Sequence, residues 1–251
     1  MSGALANVVL GLVTSLLSGT AVWLGQRLYG LRRRRREAAF FGVRPTERCL
    51  LVMNRMPANP KGMRHSDIHA LIDLAVQVRE LGGEPEMTVF DQLTEVPGQQ
   101  AEFCVGGPQS NERTKAHFAH YLPGVALRPY NPNRRDSVGI VVGDQRFYWD
   151  PEEQAHAVLA RLVPPSGTRP VFVICGQTAT ANRGAVAYLL RETARLRRLA
   201  GQNGGQFCLV LRVSSPRQYG HRMVELVRDV TEAALTPSPS QSRSQSRSQS
   251  K

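Results

Sequence analysis

The sequence predicts an α/β protein: an N-terminal transmembrane helix followed by a three-layer domain with a mostly parallel sheet. Three observations predict it. No side chain from Met1 to Gln26 is charged. From Cys49 to Leu235, short apolar runs alternate with segments of helical periodicity, the pattern of strands covered on both faces by helices. Two of those runs leave on glycine-rich turns that lead into helices.

The apolar stretch at 4–24 reads ALANVVLGLVTSLLSGTAVWL. At ~1.5 Å per residue it covers the ~30 Å hydrocarbon core of a bilayer. Trp23 and Tyr29 fall near its downstream end, where amphipathic rings favour the headgroup region. Arg32 to Arg36 follow at once. Positive charge is retained on the cytoplasmic side, so the reading is a single-pass plasma-membrane protein with its N-terminus outside and its C-terminal domain cytoplasmic. A cleaved signal peptide would carry its charge before the apolar run rather than after it. Arg32–Arg36 are also expected to attract anionic lipid headgroups, each by about 1 kcal/mol near the surface. Gly11, Ser15 and Gly19 recur every four residues and offer a small-residue face for a homodimer.

The chain thus divides into an anchor (1–30), a basic juxtamembrane linker (31–47), an α/β domain (48–235) and a Ser/Gln/Arg tail (236–251). The tail, TPSPSQSRSQSRSQSK, has no apolar side chain and is expected to be disordered. Apolar residues are 41% of the whole, enough for a substantial core. The net charge of +12 lies largely in the appendages: Arg27 and Arg32–Arg36 against Glu37 at one end, Arg243, Arg247 and Lys251 at the other. A nucleic-acid footprint needs its cations on a folded face, so nucleic acid is not the expected partner. Cys49, Cys104, Cys175 and Cys208 each sit in an apolar run without a CxxC partner. They read as reduced, buried small hydrophobes of a reducing compartment.

Within the domain, Cys49–Met53 reads as a strand and Ile68–Leu81 as a helix ended by Gly82-Gly83. Met87–Phe90 and Phe103–Val105 read as short strands, and 112–122 as a helix stopped by Pro123-Gly124. Val138–Val142 and Arg146–Trp149, joined through Gly143-Asp144, read as a hairpin. A βαβ unit closes the domain: strand Val171–Cys175, helix Ala185–Ala200, strand Phe207–Val213, then a helix over His221–Leu235.

Ligands of open α/β sheets bind where strand carboxyl ends meet helix amino ends, because unpaired N–H groups and the helix dipole favour anions there. Two loops have that composition. One runs Gly106-Gly107-Pro108-Gln109-Ser110-Asn111-Glu112-Arg113-Thr114, and the other runs Gly176-Gln177-Thr178-Ala179-Thr180-Ala181-Asn182-Arg183-Gly184. From them Gly106, Gly107, Ser110, Asn111, Gly176, Thr178, Thr180 and Asn182 are the candidate ligand-binding residues. Asn54 and Asp91 join them because each follows a strand end. Neither loop is a phosphate-loop fingerprint, and the same residues serve equally well as turns and helix caps. Glu112 is the candidate catalytic carboxylate, although a first-turn glutamate also complements a helix dipole without any catalytic role. His65 with His69 and His117 with His120 have helical spacing, but neither pair has the HExxH form or an evident third ligand, so no metal is assigned. No cofactor is assigned either.

The order of apolar strands, the GGPQSNERT loop and CGQTATANRGA before a long helix resemble Rossmann-like sugar-nucleotide and nucleoside-processing domains. These include the TIR-like and nucleoside deoxyribosyltransferase-like families, and the likeness spans roughly 48–235. It implies a Rossmann-like fold, and it makes Glu112, by loop position, the counterpart of the glutamate that serves N-glycosidic chemistry there. The layout is also similar to a bacterial family of membrane-tethered α/β proteins, which implies no activity. The expected function is binding, with processing as an extension, of a nucleotide-like anion at the glycine-rich loops. The alternative is a membrane-tethered scaffold without catalysis. Convergent loops around an open pocket favour the first; loops packed shut beside a large apolar patch favour the second.

Overall fold

The computed structural model describes residues 2–54, 62–93, 95–129, 131 and 137–237, side chains 2, 4–16 and 92 excepted. The tail from 238 onward lies outside them, as do the side chains of Gly11 and Ser15.

The chain opens with α1 (Ser2–Phe41), one unbroken helix of 40 residues. At ~1.5 Å per residue it is about 60 Å long. Among the described residues no helix is long and apolar enough to cross a membrane, so the expected anchor finds no support there. Leu17, Val22, Trp23, Leu24, Leu28 and Leu31 are exposed along it. Its last turn does not behave as a linker. Phe40 and Phe41 are buried, and their rings lie 5.6 Å from that of Phe172, which stacks on Phe103 at 5.0 Å. The apolar AAFFGV that follows the arginines belongs to the core; the adjacent charge run masks it in the sequence.

Next come β1 (Arg48–Met53), α2 (His65–Leu81), β2 (Glu84–Val89), β3 (Ala101–Val105) and α3 (Glu112–Tyr121). A small antiparallel sheet follows, built from β4 (Val125–Leu127), β5 (Ile140–Val142) and β6 (Gln145–Phe147). Then come β7 (Gln154–Leu162), β8 (Val171–Gly176), α4 (Ala179–Arg191), α5 (Thr193–Gln202), β9 (Phe207–Ser214), α6 (Pro216–Tyr219), β10 (Val224–Asp229) and α7 (Thr231–Leu235). The main sheet has seven strands in the order β10-β9-β7-β8-β3-β1-β2.

Strand side chains alternate between faces, and the alternation sorts the core into two layers. Leu51, Phe103, Leu159, Phe172, Leu209 and Leu211 pack with the end of α1, α2, α4 and α5. Val158, Ala160, Val173, Cys175, Cys208 and Val210 pack with α3, the small sheet and α7. This is a three-layer α/β arrangement, as expected. The sheet is mostly parallel, as expected, but mixed: β7 and β10 run against the other five strands. β2, β1, β3 and β8 pair in parallel, whereas β7 runs antiparallel between β8 and β9, and β10 is antiparallel to β9.

One strand carried no expectation, and two expected helices are corrected. β7, QAHAVLARL, carries no strand signature, because alanine, leucine, glutamine and arginine favour helices. Burial on both faces overrides that preference. The closing helix expected over His221–Leu235 is a strand and a short helix. Val224, Leu226 and their neighbours complete a ladder with β9, and only Thr231–Leu235 coils. The helix expected over Ala185–Ala200 begins at Ala179 and breaks at Glu192, where Thr193 Oγ1 donates to the Leu189 and Leu190 carbonyls.

Candidate functional site

β1 leads through α2 to β2 on one side, whereas β3 leads through α3 towards β8 on the other. The carboxyl ends of β1 and β3 therefore flank a reversal of strand order, where α/β sheets leave a crevice. A cavity of ≈550 Å³ lies there. Asn54 from the end of β1, Gly107 to Ser110 from the first glycine loop, and Gly176 to Ala179 from the second all line it. Leu127, Val138, Ile140 and Trp149 form its apolar wall, with Arg64 and Arg128 also on the lining.

The small sheet is held over this opening by Gln177. Its Nε2 donates to the Val138 and Phe147 carbonyls, each at 2.9 Å, while its Oε1 accepts from the His156 backbone N–H at 2.6 Å. One side chain of the second loop thus ties the small sheet to β7, beside the apolar packing of Val125, Ile140 and Val142 on the main sheet.

Asp67 lies on the cavity lining in the first turn of α2, yet it is only 1% exposed. Asn182 Nδ2 donates to its Oδ1 at 2.8 Å, and Asn54 Nδ2 donates to its Oδ2 at 3.0 Å. Asn182 is itself fixed, since its Oδ1 accepts from the Gly176 N–H at 2.5 Å. Residues from β1, α2 and α4 are therefore joined through one carboxylate. Burial pushes the Asp67 carboxyl above its ordinary range, and the two amides and the Arg64 charge offset only part of that. Asn54 Oδ1 has no hydrogen-bond partner among the described residues.

The second loop ends in a true helix start. Thr178 caps α4, its Oγ1 accepting from the Ala181 N–H at 3.1 Å. Ala179, the first residue of α4, is on the lining, and the first N–H groups of a helix have no partner within it. The first loop starts α3 in the same way. Asn111 Oδ1 accepts from the Thr114 N–H at 3.1 Å, while Asn111 Nδ2 is buried without a partner among the described residues. Cys175 lines the cavity as well, but burial and then the Asp67 charge push its thiol up to about 12, so it stays protonated.

The sequence candidates divide accordingly. Asn54, Gly107, Ser110, Gly176, Thr178 and Asn182 share the cavity. Gly106, at φ +109°, lies behind Asn54, where an added Cβ would come within 2.7 Å of that side chain. Asn111 and Thr180 are in the same loops but not on the lining, and Asp91 is exposed on the turn after β2, also off it. Glu112 points away: its side chain is 63% exposed and pairs with Lys115 at 3.1 Å. Asp67 was not among the sequence candidates. The available signal was a carboxylate in the first turn of the helix following β1. Arg64, Arg128, Trp149 and Gln177 carried no motif at all.

The histidine pairs also separate. His65 and His69 are in contact at 3.0 Å between their Nε2 atoms, on the surface. His117 is buried and His120 exposed. His117 instead meets Glu102 inside the α3 layer, where its Nε2 is 2.7 Å from Glu102 Oε1. Arg113 Nε and Nη2 donate to the two oxygens of Glu102, each at 2.8 Å. Burial alone would raise the Glu102 carboxyl, but the hydrogen bonds from Arg113 and His117 outweigh it and hold the group at about 2. Donor atoms of Glu102, Cys104 and His117 lie within 4.8 Å of one another, a spacing open to a metal ion. The guanidinium already occupies both carboxylate oxygens, so the cluster is complete as a hydrogen-bonded clamp between β3 and α3.

No protein-family model, no curated protein and no solved structure matches this chain.

Proposed function

We propose that the crevice binds a nucleotide-like, phosphate-bearing ligand. One observation carries the reading: both glycine loops and the end of β1 contribute to a single cavity of ≈550 Å³ with a buried, doubly hydrogen-bonded carboxylate on its wall. The amino end of α4 and the nearby Arg64 and Arg128 suit the phosphate. Trp149 and Ile140 suit a flat apolar ring. Asp67, with the unpartnered Asn54 Oδ1 beside it, suits a polar group of the sugar or base. In any turnover of that ligand, Asp67 rather than Glu112 is the carboxylate in reach, with a raised affinity for a proton.

In this proposal the domain is tethered to the plasma membrane by residues 4–24 and faces the cytoplasm, with Arg32–Arg36 at the anionic headgroups. Support comes from the uncharged 1–26 followed by five arginines, and from the unbroken course of α1 into the core. Pairing of two anchors through Gly11, Ser15 and Gly19 belongs to the same proposal.

The experiment is thermal unfolding of the full chain, in non-ionic detergent, against a panel of nucleotides, dinucleotides and nucleosides. A ligand at a hundredfold excess over its Kd should stabilise the fold by about 2.7 kcal/mol. Gly107→Val should abolish that shift, because the new side chain would occupy the cavity while its Cβ meets only Cys175 Sγ, at 3.5 Å. A flat panel on a folded sample sinks the reading.

A further inference from the structure

A second cavity lies away from the crevice, where α1 crosses the ends of α2, α4 and α5. Its volume is ≈670 Å³, and Arg32, Arg33, Arg36, Arg191 and Arg197 line it. An adjoining cavity of ≈450 Å³ shares Arg36 and Arg197 and adds Arg161. These cations come from four separate elements. Two carboxylates, Glu37 and Glu80, share the larger lining; Arg33 Nε pairs with Glu37 at 2.9 Å, and Arg191 Nε with Glu192 at 3.2 Å. Among the described residues no carboxylate pairs with Arg32, Arg36, Arg197 or Arg161. Arg161 is only 9% exposed, and its head donates to the Phe40 and Gly205 carbonyls. Its guanidinium is desolvated without a counter-ion, which lowers it to about 10.

Five arginines against two glutamates leave an excess of positive charge that repels itself, and a desolvated cation gains most from an added anion. Guanidinium groups match phosphate oxygens two at a time. We propose that this arginine-lined cleft is a binding site for a phosphate group, carried either by an anionic lipid headgroup or by a free phosphate. Its location favours the lipid source, a choice that rests on the membrane placement proposed above. The exposed apolar side chains of α1 continue through Leu24 and Leu28 to Leu31, and the cleft begins at Tyr29 and Arg32, the level at which headgroups meet a helix. The site is independent of the crevice, with which it shares no lining residue.

The test is thermal unfolding of the full chain in non-ionic detergent at fixed ionic strength. It is titrated separately with dioctanoyl phosphatidic acid, dioctanoyl phosphatidylcholine and inorganic phosphate. Phosphatidic acid should raise the melting temperature saturably, and phosphatidylcholine should not. The double variant Arg36→Gln/Arg197→Gln should raise the half-saturating concentration at least about tenfold. Both side chains lie outside the apolar core, so the fold should persist. Arg198→Gln, on the same helix but lining neither cavity, should stay within about twofold, and so should Gly107→Val. A response to phosphatidic acid alone assigns the site to the headgroup; an equal response to inorganic phosphate assigns it to free phosphate. No saturable response, an equal response to phosphatidylcholine, or an unchanged response in the double variant overturns the proposal.

Discussion

Replacing Arg113 by methionine should expose what the clamp between β3 and α3 contributes. Methionine keeps much of the side-chain length but removes both donors to Glu102, which is 1% exposed. Leaving a buried carboxylate without its cation typically costs about 3–5 kcal/mol. For a domain of this size each kcal/mol shifts Tm by about 2–4 °C, so a fall of about 10 °C is expected at pH 7. The pH dependence carries the sharper content. In the wild type the Glu102 carboxyl is held at about 2, below its ordinary value of 4.5. A depressed carboxyl contributes stability that is present above the ordinary value and lost as pH falls through the folded one, here about 3 kcal/mol between roughly pH 4.5 and 2. In the variant, desolvation is opposed by His117 alone and the carboxyl rises. A raised carboxyl has the opposite sign, so the variant should gain relative stability on acidification. The assay is circular dichroism of thermal and urea unfolding from pH 7 to pH 4, with both proteins in the same detergent. A loss below about 1 kcal/mol at pH 7, or a gap between the two proteins that does not narrow by pH 4, would refute the reasoning.

Three further outcomes follow from the same geometry. Asp67→Asn should keep Tm within about 3 °C, since Asn54 Oδ1 has no partner among the described residues and its amide can turn over to accept from the new side chain. A carboxyl raised by burial stabilises the fold below its ordinary range and loses that contribution as pH rises, so little is forfeited at neutral pH, whereas ligand affinity should drop about tenfold or more in a binding titration. All four cysteines are free and buried, with Cys49 pushed up to about 11 and Cys104, Cys175 and Cys208 also pushed well up by burial. A thiol-reactive chromophore at pH 8 should therefore report almost no thiol until denaturant is added, and fast reaction of the native chain would count against the described core. Phe41→Ala should cost about 3–5 kcal/mol in urea unfolding, because the ring is fully buried between Phe40, Phe103 and Phe172.

What the sequence disclosed, and what it concealed, follows from which physical rule decided each element. β1, β3, β8 and β9 each contain an apolar run, and α2 carries a helical apolar stripe ended by Gly82 in the left-handed region; local pattern and tertiary environment agree there. In β7 they conflict. QAHAVLARL is locally helical and becomes a strand only because neighbours bury it on both sides, which no window of nine residues contains. β10 is concealed for the complementary reason: as an edge strand it exposes most of its side chains and shows no apolar run. The glycine loops were legible because turns and helix starts demand particular residues. Asp67 was not, since its meaning depends on two asparagines 13 and 115 positions away in the chain.

The crevice and the arginine cleft lie at opposite ends of the same two helices. Asp67 in the first turn of α2 and Ala179 at the start of α4 face the crevice, while Gln77 and Glu80 on α2 and Arg191 on α4 face the cleft. That arrangement invites the idea that a ligand at one site changes affinity at the other. Coupling, however, requires an element with two arrangements that the ligands distinguish, and proximity to a common helix does not supply one. Leu71, Leu74, Val78 and Leu81 of α2 and Ala181, Ala185, Val186 and Leu189 of α4 are all buried in a single apolar cluster spanning both helices. Sliding either helix would break contacts along its whole length, at a cost exceeding the roughly 1–3 kcal/mol that typical coupling supplies. The expected result is therefore independence. A crevice ligand titrated with and without saturating phosphatidic acid should show a Kd unchanged within about twofold. A tenfold change, reciprocated when the order of addition is reversed, would mean that α2 or α4 has a second packing against the sheet.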